Sequence, residues 1–282
     1  MTIHEDQVTV LLGHNGAGKT TLFNILTGLY TRSGGSLTVG GWDVRTDAAR
    51  GMVGYCPQVD VFFDDLTVEE HLVYYAGLRG VPDRVTQAQR QMKSLKLTDK
   101  ADNFPGQLSG GYQRKLSVAI ALVSSPKLLI LDEPTSGMDP EMRQSFWKIV
   151  HSLRGKVTVL LSTHDMEEAD AVGDRIIVMH RGRVICSGST SFLKDACGVG
   201  YKLTLGKAAA GFNLAYTLAL VRNTVPLATV EMERDNDVTF ALHTFNCDGF
   251  EGLFRQLEYG AARMGITAIS VTVATMKDAY VK

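Results

Sequence analysis

Short apolar runs alternate with amphipathic stretches along the first part of the chain. The runs at 8–12, 36–44 and 52–56 predict strands, and the stretch from Lys19 to about Leu29 predicts a helix between the first two. An unbroken apolar run at 128–131 predicts a strand that is buried on both faces. Two further strands are predicted at 157–162 and 175–179. This alternation indicates an α/β fold with a parallel-sheet core.

A more helical region interrupts the alternation between about residues 66 and 125. Thr67 and Glu70 have the spacing of a capping box, which predicts a helix start ahead of an apolar stretch. Asp139 followed by Pro140 predicts another helix start, and that helix should continue to about Leu153. We therefore expect a helical subdomain inserted into the α/β domain.

The pattern changes again near Gly198 and Gly200, where we place a domain boundary. The segments beyond it predict the order β-α-β-β-α-β, with strands at 201–205, 228–232, 238–242 and 266–273 and helices at 212–222 and 249–264. The predicted domains are 1–198 and 199–282. The second is expected to be a small α+β domain of the ferredoxin-like type.

Composition and charge narrow the class of protein. Twenty-nine Lys and Arg stand against 30 Asp and Glu, so a polybasic nucleic-acid binder is not expected. The four cysteines contain no C-x-x-C pair and favour reduced thiols. No apolar run approaches the roughly 18 residues of a membrane-spanning helix, and the N-terminus does not have the pattern of a secretory signal. The chain is therefore expected to be cytosolic.

A glycine-rich segment between the first predicted strand and helix carries the clearest chemistry. Residues 13–20, GHNGAGKT, match G-x-x-x-x-G-K-[ST] in the required strand-to-helix context. In such a loop successive backbone N–H groups surround phosphates, the lysine reaches the β- and γ-phosphates, and the last hydroxyl binds Mg²⁺. Lys19 and Thr20 would have those two roles here.

Two adjacent acids follow the buried strand at 128–131. P-loop enzymes place acids at such a strand end to hold Mg²⁺ and to activate water. Asp132 would hold the metal ion, directly or through water. Glu133 would polarise the attacking water or accept its proton.

The segment LSGGYQ at 108–113 supplies a second phosphate-binding feature. Ser109 is expected to cap the following apolar helix, and Gly110 and Gly111 would expose amides at its start. One P-loop already surrounds one triphosphate. A second such site in the same chain is most simply explained as serving the nucleotide of a partner subunit.

At this point the chain resembles the nucleotide-binding domain of ATP-binding cassette (ABC) transporters, over residues 1 to about 195. The resemblance implies that Gln58 is the Q-loop residue, which meets Mg²⁺ and links the site to the membrane domains. It implies that the stretch 136–139 is the D-loop and that His164 is the switch histidine that contacts the γ-phosphate.

Further details resemble ABC subfamily A, whose members chiefly move lipids. These details are His14 in the P-loop, the run QLSGGYQRKLSVAIAL, the run LSTHDMEEAD and the closing VTVATMKDAYV. A small regulatory domain follows each cassette in that subfamily. Family members also have a strand before the P-loop with an aromatic residue that stacks on adenine. Only twelve residues precede Gly13, and that aromatic is missing. The resemblance therefore implies an N-terminally truncated fragment, with Trp42 expected in hairpin packing rather than against adenine.

The expected site can now be stated as a whole. The catalytic residues are Glu133, His164 and Gln58. ATP is bound by Gly13, His14, Asn15, Gly16, Ala17, Gly18, Lys19, Thr20 and Thr21. The partner's ATP is bound by Ser109, Gly110, Gly111, Gln113 and Asp139. Mg²⁺ is held by Thr20, Gln58 and Asp132.

The leading hypothesis is a Mg²⁺-dependent ATPase cassette that powers transport, with lipid as its indirect substrate. Its expected partners are a second cassette and the transmembrane domains of the same transporter, at the cytoplasmic face of a membrane, with no nucleic acid. Two alternatives stay open. One is an ATP-gated module with little hydrolysis, and the other is a soluble cassette without a membrane partner.

Overall fold

A computed structural model gives the structure of residues 1–196, 200–208, 211–244 and 246–273. The chain divides into two compact units, Met1–Ser189 and Thr190–Lys282. The predicted boundary at residue 198 lies outside the described residues, as do Cys197 and most of the closing VTVATMKDAYV run.

The first unit contains eight strands. In chain order they are β1 (Val8–Leu12), β2 (Thr38–Val39), β3 (Trp42–Asp43), β4 (Val53–Cys56), β5 (Leu128–Asp132), β6 (Thr158–Thr163), β7 (Arg175–His180) and β8 (Arg183–Ser189). Six of them form one sheet in the order β4-β5-β6-β1-β7-β8. The first five of these are parallel and β8 is antiparallel to β7. The parallel core predicted from the apolar runs is therefore confirmed.

Seven helices accompany these strands within the described part of the first unit. They are α1 (Lys19–Leu26), α2 (Asp47–Gly51), α3 (Val68–Leu78), α4 (Arg84–Leu95), α5 (Gly110–Leu122), α6 (Pro140–Leu153) and α7 (Met166–Val172). The helices α3, α4 and α5 pack against one another within the predicted helical region. None of the helices in the described residues is long and apolar enough to cross a membrane.

The register of the central strands determines which residues meet at the functional edge. All residues of β1, β5 and β6 are buried, so side chains at the strand ends have fixed positions. Leu12 is paired with Thr163, and Asp132 with Ser162. Because parallel strands end at the same edge of a sheet, the segments after all three strands meet there.

Two helix starts follow the sequence prediction and one differs. Thr67 and Glu70 form the predicted capping box, and the side chain of Asp139 accepts from the amide of Met142 at 2.9 Å. Ser109 is at the N-cap position of α5, but its side chain makes no capping hydrogen bond. The reason is that the amide of Tyr112, which a capping hydroxyl would bind, donates instead to the Ser109 carbonyl at 2.9 Å.

The segment 36–44, predicted as one strand, is a short hairpin. Strands β2 and β3 are joined by Gly40 and Gly41, whose φ angles are 56° and 84°. Positive φ at both central positions is the requirement of a tight hairpin turn, and glycine meets it without steric cost. Trp42 lies in this hairpin with 54% of its surface exposed, so it contributes little packing.

The second unit begins with α8 (Thr190–Ala196), which was not predicted. It continues as β9 (Tyr201–Lys207), α9 (Leu214–Thr224), β10 (Thr229–Glu233), β11 (Asp237–Ala241), α10 (Phe250–Met264) and β12 (Ile266–Val273). The four strands form an antiparallel sheet in the order β10-β11-β9-β12. Its buried apolar core includes Leu203, Leu205, Val221, Val238, Phe240, Leu253 and Leu257.

Candidate active site

The glycine-rich loop joins the end of β1 to the start of α1, as the motif predicted. Gly16 and Gly18 have φ angles of 81° and 101°, in the region that favours glycine. A Cβ atom on Gly13 would lie 2.5 Å from the carbonyl oxygen of Met179, so a larger residue does not fit there. The amide of Gly182 donates to the carbonyl of Ala17 at 2.8 Å, which braces the loop from the turn between β7 and β8.

The P-loop residues divide into a buried and an exposed set. Lys19 is buried and donates from Nζ to the carbonyl of Gly13 at 2.7 Å. Ala17, within the loop, is also buried. The exposed members are His14, Asn15, Gly16, Thr20 and Thr21. The exposed set is therefore accessible to solvent, whereas the lysine is not.

Asp132, the last residue of β5, is almost fully buried. Its Oδ1 accepts from the Ser162 hydroxyl at 2.5 Å, whereas its Oδ2 has no hydrogen-bond partner among the described residues. Burial, assisted by the nearby charge of Asp132, raises the pKa of Tyr55 to about 12. A buried carboxylate oxygen without a partner carries a desolvation cost that a bound cation would offset.

Glu133 is the residue on which the predicted catalytic groups converge. Its Oε1 lies 3.1 Å from Nζ of Lys19, and its Oε2 lies 3.3 Å from Nδ1 of His164. The amide of Gln58 donates to the same Oε2 at 3.4 Å. The structure therefore brings together the P-loop lysine and all three predicted catalytic residues, which lie far apart in the sequence.

The backbone of Glu133 has a conformation that is uncommon for a residue with a side chain. Its φ angle is 41°, and its amide donates to the hydroxyl of Ser162 at 3.0 Å. Ser162 thus contacts both Asp132 and Glu133, because it is paired with Asp132 across the sheet. The left-handed turn directs the Glu133 side chain back toward the P-loop lysine instead of along the strand.

The residues expected to hold Mg²⁺ fit that ion in part. Thr20, Gln58 and Asp132 offer hydroxyl, amide and carboxylate oxygens, which are the donors Mg²⁺ prefers. The unpartnered Oδ2 of Asp132 is suited to such a role. No direct contact among the three is found, and the described residues contain no cluster of three or more His, Cys, Asp or Glu able to hold a metal.

Residues of the segment 108–113, the signature segment, and of the predicted D-loop at 136–139 line a neighbouring cavity of about 340 Å³. Its lining includes Gln58, Gly110, Gly111, Gln113, Glu133 and Asp139. Ser109 lines an adjacent cavity instead, together with Gly111. Gln113 uses its amide to donate to the carbonyl of Pro105 at 2.9 Å. The predicted residues for the partner's ATP, except Ser109, therefore line one cavity together with Glu133.

Sequence reasoning missed three residues of this site. Ser162 braces both acids, and Arg114 donates to backbone carbonyls on either side of Glu133. His180 lies with its Nδ1 2.9 Å from Nε2 of His14 in the P-loop. Their contacts depend on sheet register and on helix placement, so no local pattern identified them. For Arg114 the sequence does contain one indication, which is an arginine next to the apolar part of α5.

A glycine-rich loop after β1 and an acid pair at the end of β5, two parallel strands with β6 between them, define the first unit as a P-loop nucleotide-binding domain. The family model described as ABC transporter matches residues 1–136. The mouse protein "Phospholipid-transporting ATPase ABCA3" is 42% identical over 289 residues, which include all of this chain and 17% of the relative. The human "Cholesterol transporter ABCA5" is 38% identical, covering 99% of this chain and 17% of the relative.

Solved structures agree with this assignment. "Structure of ATP binding subunit of ABC transporter" has a TM-score of 0.63 and 27% identity, covering 70% of this chain and 85% of that one. "Dimeric Structure of MJ0796, a Bacterial ABC Transporter Cassette" has a TM-score of 0.60 and 25% identity, covering 67% of this chain and 88% of that one. The chain therefore contains an ABC transporter ATP-binding domain that begins within residues 1–136, and it is similar to subfamily A proteins along its length. It spans about one-sixth of the curated relatives it matches.

Proposed function

We propose that this cassette hydrolyses ATP with Mg²⁺ and powers transport by a subfamily A transporter, whose cargo is a lipid. The convergence of Lys19, Gln58 and His164 on Glu133 is the observation that carries the hydrolytic part. The names of the relatives, which include a phospholipid-transporting ATPase and a cholesterol transporter, support the lipid part.

Each of these residues would have a distinct role in hydrolysis. Lys19 binds phosphate oxygens of ATP, and Glu133 orients the attacking water and accepts its proton. His164 and Gln58 contact the Glu133 carboxylate and hold it in place. When bound, Mg²⁺ supplies positive charge to the phosphates, and Thr20, Gln58 and Asp132 are the residues that would hold it.

We also propose that hydrolysis requires a second cassette. The glycines of the signature segment and Asp139 are grouped on a cavity that includes none of residues 13–20, so they are available to a nucleotide held by a partner's P-loop. The similarity to a cassette whose solved structure is dimeric supports this arrangement.

A membrane-domain partner is supported by the segment after Gln58. Val59, Val61 and Phe63 are exposed apolar residues in a stretch close to the catalytic site. An apolar surface that follows a catalytic residue so closely is suited to contact transmembrane domains and to relay their state to the site. Cytoplasmic placement is part of the same proposal.

We further propose that the second unit is a regulatory domain of the ferredoxin-like type. The order β-α-β-β-α-β and an antiparallel sheet with β9 and β11 at its centre support that class. Lys202 pairs with Glu231 at 2.7 Å and Lys207 with Glu233 at 3.0 Å, so acids of the β10–β11 hairpin are bound to the central strand.

The hydrolytic proposal is tested by the substitution E133Q. Glutamine keeps the size of the side chain but is too weak a base to accept a proton, so we expect turnover to fall about 100-fold or more while ATP still binds. Phosphate release and binding of a fluorescent ATP analogue measure the two quantities. The matched control is E141Q, which changes an exposed acid at the start of α6. Undiminished phosphate release by a correctly folded E133Q protein would exclude Glu133 as the base.

The transport part needs a separate measurement. The complete transporter, reconstituted in vesicles, should move a fluorescent phospholipid or sterol only with ATP, and the E133Q form should not. Binding of this chain to isolated membrane domains distinguishes the transporter cassette from a soluble cassette. An ATP-gated module would show transport that continues in the E133Q form.

A further inference from the structure

Arg114 is a buried arginine near the start of α5, five positions after Ser109. Its Nε donates to the carbonyl of Pro134 at 2.9 Å, and one terminal nitrogen donates to the carbonyl of Asp132 at 3.0 Å. The other terminal nitrogen donates to the carbonyl of Pro57 at 2.6 Å and lies 2.7 Å from Oδ1 of Asp60. All three guanidinium nitrogens are therefore used.

The positions of these acceptors are informative. Asp132 and Pro134 flank Glu133 on its two sides, and Pro57 directly precedes Gln58. One guanidinium thus holds the main chain next to the catalytic base and next to the Q-loop glutamine. These two segments lie at the ends of neighbouring strands β5 and β4.

The free-energy cost of burying the Arg114 charge is offset by one acid, Asp60. Asp60 accepts from Arg114 and also from the Ser117 hydroxyl at 2.6 Å, so its carboxylate is fixed by two donors of the same helix. Hydrogen bonds of a buried charged group are stronger than those between neutral groups, and removing one partner of such a set is costly. The flat, forked guanidinium can satisfy several carbonyls at once, which a lysine ammonium cannot do in the same geometry.

We propose that Arg114 is a positioning residue that ties Glu133 and Gln58 to the helix of the signature segment. This inference rests on the proposed ATPase function. Helix α5 begins at the residues that are proposed to bind the partner's nucleotide. Contact of that nucleotide with the start of α5 would therefore act, through Arg114, on the main chain around this chain's own base. The guanidinium of Arg114 donates to main-chain carbonyls beside Glu133 and Gln58 and not to their side chains, so it acts through the backbone.

The test compares R114M and R114K with R90M. Methionine keeps much of the aliphatic length but has no donors, lysine keeps the charge, and Arg90 is an exposed arginine on α4 of the same region. We expect R114M to lower kcat for ATP about tenfold while KM changes less than about threefold, since the P-loop is untouched. R114K should recover part of kcat, and R90M should match the unmodified protein.

A second measurement does not depend on hydrolysis. Amide hydrogen exchange should become faster in R114M at residues 58–61 and 133–138 together, and should be unchanged at residues 13–20. If the unmodified chain hydrolyses no ATP, the proposed function fails while this exchange measurement still tests Arg114. Faster exchange throughout the first unit, or only within α5, would overturn the proposal. So would an R114M protein with unchanged kcat.

Discussion

The carboxylate of Glu133 and the ammonium of Lys19 form an ion pair with a 3.1 Å separation, although the two residues are 114 positions apart in the sequence. Only 5% of the lysine side chain and 11% of the glutamate side chain are exposed. The lysine expected to bind phosphate is thus already bound to the base expected to activate water. Under the proposed function, phosphate oxygens of ATP would compete with the Glu133 carboxylate for the Lys19 ammonium.

This competition predicts that E133Q binds ATP more tightly than the unmodified chain. A charged acceptor binds a charged donor about 1 kcal/mol more strongly than a neutral amide does, which corresponds to roughly a fivefold lower Kd for the variant. Titration of a fluorescent ATP analogue without Mg²⁺ measures the change in the absence of hydrolysis. Weaker binding by E133Q would show that the ion pair does not oppose the nucleotide.

The composite site predicts that ATPase activity depends on protein concentration. If the signature residues of one copy complete the site of another, the rate per chain should rise with concentration until a dimer saturates. Phosphate release over a wide range of concentrations, with light scattering to follow mass, measures this. A high rate per chain from a confirmed monomer would contradict the requirement for a second cassette.

Glu168 provides a pH-dependent test of the first unit. It is buried and accepts from the Thr135 hydroxyl at 2.8 Å, and its Oε2 has no partner in the part of the chain that the structure describes. Loss of solvation raises its pKa. A carboxyl with a raised folded pKa binds its proton more tightly in the folded protein, so its contribution to stability is lost as pH rises from its ordinary pKa through the raised value.

E168Q removes this titration. We expect the free energy of unfolding of E168Q, relative to the unmodified chain, to improve as pH rises above the ordinary carboxyl pKa of 4.5, with a slope of at most about 1.4 kcal/mol per pH unit. Urea unfolding followed by tryptophan fluorescence measures it, because Trp147 donates to Glu168 at 3.3 Å. The exposed E141Q serves as the control. If the unfolding free energies of E168Q and the unmodified chain changed with pH in parallel, Glu168 would not be the group with the raised pKa.

Two glycines three positions apart provide a packing test. A Cβ on Gly54 in β4 would meet the carbonyl oxygen of Ala121 and lie 2.9 Å from the ring of Pro126, whereas one on Gly51 would meet nothing. We expect G54A to lower the stability of the first unit by about 1–3 kcal/mol. G51A should be neutral or stabilising by a few tenths of a kcal/mol. Thermal unfolding ranks the two variants, and equal melting temperatures would contradict the close approach of α5 to β4.

Local sequence patterns predicted much of the fold correctly. Unbroken apolar runs predicted β1 and β5, and the capping residues Thr67 and Asp139 marked the starts of α3 and α6. These predictions succeeded because burial on both faces and helix capping depend on residues close in the sequence. The residues that converge on Glu133 were predicted from motif resemblance instead, because spacing along the chain does not show which strand ends lie side by side.

The supporting residues could not be predicted for the same reason. Ser162 braces Glu133 only because β5 and β6 are paired in one register, and a shift of one residue would turn its side chain to the other face. Arg114 depends on the close packing of α5 against β4. The expected hydroxyl cap at Ser109 failed because the backbone carbonyl of the same residue took the donor.

The left-handed backbone at Glu133 bears on what holds this residue in its conformation. A residue with a side chain held at a φ of 41° costs about 1–2 kcal/mol relative to glycine in the same conformation. A change of Glu133 to glycine would relieve the backbone but would leave the buried ammonium of Lys19 without its carboxylate, which is the larger cost. The ion pair with Lys19 therefore supplies the free energy that keeps Glu133 in a conformation its own backbone disfavours.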